Sequence, residues 1–145
     1  MPKPHIQIVD DEINVARTLQ MVLERESYHV SCAHSARQAL KQYREGLRPD
    51  AAIIDLNMEE EDIGLVVAKA AQKLRPQPIV IICTGYENVD NIQTALNLRV
   101  DYLATKPVDL EELKGALVRL MQRRPAPRAV KAKAKSKTKR AGARG

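Results

Sequence analysis

The stretch that decides the fold is AAIIDLNM, residues 51–58. Four apolar residues lead directly into Asp55. A short apolar run of this kind suits a strand buried on both faces. A charge at the end of such a strand is costly to bury unless something pairs with it. Asp55 is therefore either an ordinary surface aspartate at the strand end or a working carboxylate held at the rim of a sheet. The neighbouring segments choose between the two.

Working outward, HIQIV (5–9) is a second such run, and it too ends on acids, Asp10 and Asp11. PIVIICTG (78–85) is the most apolar run in the chain; it is expected at the sheet centre and carries Thr84 at its end. DYLAT (101–105) leads into Lys106-Pro107, and YHVSC (28–32), less apolar, is expected nearer an edge. Helix signatures lie between these strands. Ile13, Ala16, Leu19 and Leu23 recur at the spacing of one helix face. Ser35 followed by Gln38 has the pattern of a capping box, opening a helix through Ala36, Ala39, Leu40 and Tyr43 that stops near Gly46. LVVAKAAQKL (65–74) predicts a third helix ended by Pro76, and residues 88–98 a fourth. Asp109 with Glu112 caps a fifth, striped by Leu110, Leu113, Leu117 and Leu120. Five strands alternating with five helices imply an α/β fold, a parallel sheet covered on both faces by right-handed crossovers.

Ligands of open parallel sheets sit at the carboxyl ends of the strands. Here those ends carry Asp10, Asp11, Asp55, Thr84 and Lys106, which are far apart in sequence but share one rim in such a fold. Three crowded carboxylates repel one another, so the arrangement calls for a cation. Oxygen ligands with retained waters suit Mg²⁺. A hydroxyl and an ammonium on the other side suit the oxygens of a phosphoryl group. The residues thus point to a Mg²⁺ site beside a phosphoryl-accepting carboxylate. No Gly-rich phosphate loop accompanies it, so a nucleotide is not the expected donor.

Composition divides the chain. Of its 145 residues, 44% are hydrophobic, with four Tyr and no Phe or Trp, so the core must be built from Ile, Leu, Val and Ala. Residues 1–122 hold 14 Lys+Arg against 18 Asp+Glu, whereas residues 123–145 hold ten basic residues and no acid. We expect a folded domain over 1–122 and a disordered Lys/Arg/Ala-rich tail over 123–145, which cannot bury enough surface to offset its ordering entropy. Cys32 and Cys83 form no metal-like pair and are read as small reduced core residues. His5, His29 and His34 have no partner at metal spacing and are read as ordinary surface or strand-edge residues. No apolar stretch reaches the roughly 18 residues of a membrane span, so a soluble, cytoplasmic protein is expected.

Together, IQIVDDE, AIIDLNM, ICTG and LATKPVDLEEL resemble the receiver domain of two-component response regulators, over residues 5–122. The resemblance implies a flavodoxin-like (βα)5 sheet of strand order 2-1-3-4-5. It implies that Asp55 accepts a phosphoryl group from a sensor histidine kinase or phosphotransfer protein, and that Asp10 and Asp11 hold Mg²⁺. It also implies that the Asn57 backbone carbonyl completes the metal shell, that Thr84 is the switch hydroxyl and that Lys106 pairs with the acceptor. A downstream protein would be met by the face of helix four, strand five and helix five. On this reading the chain is a phosphoacceptor signalling domain and not an enzyme beyond self-catalysed phosphotransfer and dephosphorylation.

Three positions depart from the family. Many receivers carry proline four residues after the acceptor and glycine eight after it, where this chain has Glu59 and Ile63, with Gly64 one place late. The switch aromatic usually lies three before the lysine, where Leu103 stands and Tyr102 is one earlier. Leu103 is expected at that position, because a one-residue slip turns a strand side chain to the other face. Tyr86, two after Thr84, is bulky at a place that gates water. For the tail, non-specific nucleic-acid binding is the competing function, with the receiver as scaffold. A plain solubilising tail and attraction to the acidic loop are the other readings. A phosphohydrolase of similar topology would need a second acid where Asn57 lies, and ranks behind both functions.

Overall fold

The computed structural model describes residues 2–60, 63–85 and 89–124. In chain order these form β1 (His5–Val9), α1 (Ile13–Arg25), β2 (His29–Ala33), α2 (Ala36–Arg44) and β3 (Ala51–Asp55), then α3 (Ile63–Gln72), β4 (Ile79–Thr84), α4 (Val89–Asn97), β5 (Tyr102–Thr105) and α5 (Leu110–Arg123). The strands pair in parallel in the order β2-β1-β3-β4-β5. The expected fold class and strand order are therefore those observed. Tyr86 and residues 125–145 lie outside the described residues, as do Glu61 and Asp62 of the acidic loop.

Alternation along each strand sends side chains to two cores. Ile6, Ile8, Ile53 and Ile81 face α1 and α5, meeting Leu19, Leu23, Leu113 and Leu117. Val9, Ile54, Val80 and Ile82 face the other side, against Val67, Ala68 and Ala71 of α3 and Ala39 of α2. Every residue of β3 and β4 is buried, as near-continuous apolar runs in a central parallel sheet require. The alanines let helices approach closely in a chain without Phe or Trp.

One polar network crosses this core. Gln7 is fully buried. Its Oε1 accepts from the Tyr43 hydroxyl (2.6 Å) and its Nε2 donates to Gln42 Oε1 (2.8 Å). Gln42 Nε2 in turn donates to the Cys32 carbonyl (3.1 Å), so the amides are satisfied and α2 is pinned on β1 and β2. Burial pushes the Tyr43 hydroxyl well above the usual phenol range, against the hydrogen bond to Gln7.

Capping follows the sequence with one change. Ser35 accepts from the Gln38 N–H (3.0 Å), but the reciprocal bond from Gln38 Oε1 goes to the His34 N–H (2.7 Å), one residue before the cap. α2 closes on Gly46 at φ +107°, with Gly46 N–H on Tyr43 O and Leu47 N–H on Gln42 O, a Schellman ending. Asp109 caps α5 by accepting from Glu112 N–H (3.1 Å). At the amino edge of the sheet, Asp50 accepts from His5 N–H (2.7 Å) and pairs with Arg124 (3.1 Å), which also donates to Gln77 O. Arg124 is thus held on the domain and Arg123 ends α5, so these two residues of the expected 123–145 tail belong to the folded part.

α3 approaches β3 through Gly64. Its N–H donates to Leu56 O (2.9 Å), and a Cβ there would lie on the Asp55 carbonyl oxygen and 2.7 Å from Leu56 Cα. The glycine expected eight residues after Asp55 is found nine after it, so the loop between them absorbs one residue. Gly64→Ala should destabilise the domain by about 2 kcal/mol through overpacking against backbone. Urea unfolding checks this, and an unchanged midpoint would refute the close-approach argument.

Candidate functional site

Register assembles the site. Val9 pairs with Ile54, so Asp10 and Asp55 emerge side by side just beyond the last β1–β3 pair. Asp55 pairs with Cys83 and Thr84 with Thr105, which brings Lys106 to the same edge, its N–H on Thr84 O (2.8 Å). Strand-end residues far apart in sequence, Asp55 and Lys106 by 51 residues, therefore converge because parallel strands end together.

Carboxylate oxygens of Asp10, Asp11 and Asp55 all lie within 4.8 Å of one another. Asp10 and Asp55 are buried and Asp11 is exposed. Lys106 Nζ stands 3.1 Å from Asp55 Oδ2, 3.7 Å from Asp10 Oδ2 and 3.8 Å from Glu12 Oε1. Three acids thus crowd one ammonium, with Asp11 beside two of them. Asp10 Oδ1 also accepts from Glu12 N–H (2.9 Å), and Asp55 Oδ1 from Asn57 N–H (3.3 Å). Glu12, not Asp11, is the N-cap residue of α1, which leaves the Asp11 side chain to the cluster.

The electrostatics are undercompensated. Burial raises the Asp55 carboxyl to about 6, against the pull of Lys106, and the charge of Asp10 adds to the rise. Burial lowers Lys106, but the charge and hydrogen bond of Asp55, with the charge of Asp10, outweigh it and leave the ammonium raised. Burial pushes the Cys83 thiol up to about 12, so it remains a protonated core group as expected. Cys32 is also a free thiol, half-buried, with Sγ 3.5 Å from Gln20 Oε1. A hard divalent cation suits the donor set: three carboxylates close enough to share an ion, with too little positive charge beside them.

A cleft of about 400 Å³ opens from this edge between α1 and the start of α5, lined by Asp10, Asp55, Lys106, Val15, Cys83 and Val108. Other sequence-identified residues fall around it. Thr84 is buried at the end of β4, its hydroxyl donating to Gly85 O (3.2 Å). Asn57 opens the loop after β3. Leu103 packs on the α2–α3–α4 side of the sheet, while Tyr102 packs on the α1–α5 side, where its hydroxyl donates to Glu112 Oε1 (3.2 Å). Leu103, not Tyr102, therefore takes the position three before Lys106.

Three residues at the site were not identified from the sequence. Glu12 reaches Lys106, His34 Nδ1 lies 3.1 Å from Asp10 O, and Glu59 Oε2 accepts from Ala36 N–H (3.2 Å). Glu12 could have been found from its place directly after two acids. For the contacts of His34 and Glu59 the sequence holds no signal, since each meets a segment more than 20 residues away. His5 and His29 pack edge to face, ring centroids 4.7 Å apart, at the opposite edge of the sheet.

Comparison with known proteins places this geometry. The family model for the response regulator receiver domain matches residues 6–118. The transcriptional regulatory protein ZraR of Escherichia coli (strain K12) is 38% identical over 113 residues, covering 77% of this chain and 25% of that protein. The acid tolerance regulatory protein ActR of Rhizobium meliloti (strain 1021) is 31% identical over 127 residues, covering 87% of this chain and 64% of that one. The chain thus spans a quarter to under two thirds of these curated relatives. Among solved structures, a CheY-like response regulator receiver domain protein from Methanospirillum hungatei JF-1 superposes with a TM-score of 0.76 at 28% identity, over 83% of this chain and 94% of that one. Among the described residues, no helix is long and apolar enough to cross a membrane.

The raised Asp55 sets a pH dependence in metal-free protein. Its carboxyl moves from 3.8 to about 6 on folding, so the native state holds this proton more tightly than the unfolded chain. That contribution is fully present below pH 3.8 and is lost as pH rises through about 6. Asp55→Asn should therefore stabilise the chelator-treated protein by about 1–3 kcal/mol at pH 7.5 and much less at pH 4. Parallel urea titrations at the two pH values decide; a variant no more stable than the parent at pH 7.5 counts against an uncompensated buried carboxylate.

Proposed function

The chain belongs to the response regulator receiver family, and from that premise we propose that it accepts a phosphoryl group on Asp55 and relays the event through a change in its surface. The observation that carries this reading is the clustering of Asp10, Asp11 and Asp55 within 4.8 Å, with Lys106 3.1 Å from Asp55. The donor is the phosphohistidine of a sensor kinase or phosphotransfer protein, and the protein acts in the cytoplasm. It is a signalling domain rather than a conventional enzyme.

In the transfer, an Asp55 carboxylate oxygen attacks phosphorus. The P–O bond forms as the P–N bond to the donor imidazole breaks, and the leaving nitrogen keeps the electron pair. Asp55 must be ionised to attack. Lys106 holds it in that state and offers its ammonium to the incoming phosphoryl oxygens. Asp10, Asp11 and Asp55, with the Asn57 carbonyl, would hold Mg²⁺, which would supply charge neutralisation to the transferring group. The Asp55 carboxylate is itself buried, and its Oδ1 accepts from the Asn57 N–H (3.3 Å).

Phosphorylation replaces one charge on Asp55 by roughly two, carried further from the sheet. The Thr84 hydroxyl, resting on Gly85 O, exchanges that weak neutral acceptor for a charged one, and the loop after β4 follows. The change reaches the α4–β5–α5 face, where a downstream protein reads it as a biased two-state equilibrium. Leu103 in place of an aromatic means that this relay works by packing rather than by a phenol hydroxyl. The nucleic-acid reading of residues 123–145 gains no support from the comparisons and stays outside the proposal.

Acetyl phosphate with Mg²⁺ should add one phosphoryl group to the intact protein, mapped to Asp55 by mass spectrometry after borohydride trapping. Asp55→Asn should take no label, and Lys106→Ala should label or respond at least about tenfold less well. Label on Asp55→Asn, or an unlabelled parent, would sink the assignment.

A further inference from the structure

Two side chains outside the acid cluster hold the loops that follow β1 and β3, and both do so at the start of α2. His34 follows β2 directly, with Nδ1 3.1 Å from the Asp10 carbonyl oxygen. A carbonyl only accepts, so Nδ1 carries the proton in this contact. His34 is itself fixed, because its backbone N–H donates to Gln38 Oε1 (2.7 Å) and Gln38 N–H donates to the Ser35 hydroxyl (3.0 Å). The imidazole is therefore mounted on the first turn of a helix that is pinned below by the Gln7–Tyr43 network.

Glu59 makes the second fastening. Its Oε2 accepts from Ala36 N–H at 3.2 Å, a first-turn donor with no partner inside the helix. A carboxylate is favoured there by the positive end of the helix dipole. The loop after β3 is then held at three points: Leu56 N–H on Cys83 O (2.9 Å), Glu59 on Ala36, and Gly64 N–H on Leu56 O (2.9 Å). Glu59 stands where many receivers carry proline, so a hydrogen bond here restrains a loop that a pyrrolidine ring restrains elsewhere.

We propose that His34 and Glu59 are positioning residues that clamp the loops following β1 and β3 to the start of α2, holding Asp10, Asp11 and Asp55 at the separation a divalent cation needs. The proposal rests on the receiver reading above and concerns residues that reading does not use. Neither side chain belongs to the carboxylate cluster or lines the cleft beside it. They act through the Asp10 carbonyl and through the path of residues 56–60. Loss of the clamp should weaken cation binding without removing a ligand, as loss of outer-shell partners does at other metal sites.

The test is Mg²⁺ titration of the full 145-residue chain, followed by the amide resonances of residues 10–12, with thermal melts of each variant in chelator. His34→Ala should raise the Mg²⁺ dissociation constant about tenfold, and His34→Asn, whose amide can donate to the same carbonyl, should stay within about twofold of the parent. Glu59→Ala should bind Mg²⁺ more weakly than Glu59→Gln; both lose the charge, so their difference isolates the hydrogen bond. A His34→Ala constant within twofold of the parent overturns the clamp, as does His34→Asn as weak as His34→Ala. Should His34→Ala fail to fold, the His34→Asn and Glu59 variants still decide. A parent that binds no Mg²⁺ overturns the receiver site and the clamp together; a parent that binds while all variants match it overturns the clamp alone.

Discussion

The contact between Lys106 and Asp55 is the constraint around which the carboxyl edge is built. It joins the ends of β5 and β3 across 51 residues, at 3.1 Å. A lone ammonium cannot satisfy what surrounds it, because Asp10 and Glu12 lean on the same nitrogen and Asp11 stands close by. Burying one member of such a group without full compensation is unfavourable, and the raised Asp55 is the visible sign of that. The edge is thus left wanting positive charge. A divalent cation relieves the shortfall, and a phosphoryl group redistributes it. On the proposed function, switching would follow from the same imbalance, because moving charge outward from Asp55 would change which partner Lys106 and Thr84 prefer.

Much of this was legible in the sequence. Five apolar runs of strand length, alternating with helix-period segments, leave few topologies once right-handed crossovers are required. Parallel strands end together, so the residues that close each run, Asp10, Asp55, Thr84 and Lys106, had to share a rim. The most apolar run, expected at the sheet centre, forms β4, an interior strand one place from it, since β3 takes the middle; the less apolar β2 lies at an edge. Leu103 sits where strand alternation puts it.

What the sequence could not show are contacts made between loops. The bonds from His34 to Asp10 and from Glu59 to Ala36 join segments more than 20 residues apart, with no periodicity linking them. The capping box differs in detail: Ser35 and Gln38 fit the pattern, but Gln38 Oε1 accepts from the His34 N–H instead of the Ser35 N–H. The displaced glycine is similar. Only the approach of α3 to the Asp55 carbonyl shows that Gly64 does the work expected one place earlier.

A crystal structure grown with Mg²⁺ and beryllofluoride, a phosphoryl mimic, tests the central claim most directly. The account predicts beryllium on an Asp55 carboxylate oxygen, the cation within coordination distance of Asp10, Asp11 and the Asn57 carbonyl, and Lys106 moved onto the fluorides. Beryllofluoride seated elsewhere, or Lys106 turned away from a cation-free Asp55, would contradict it.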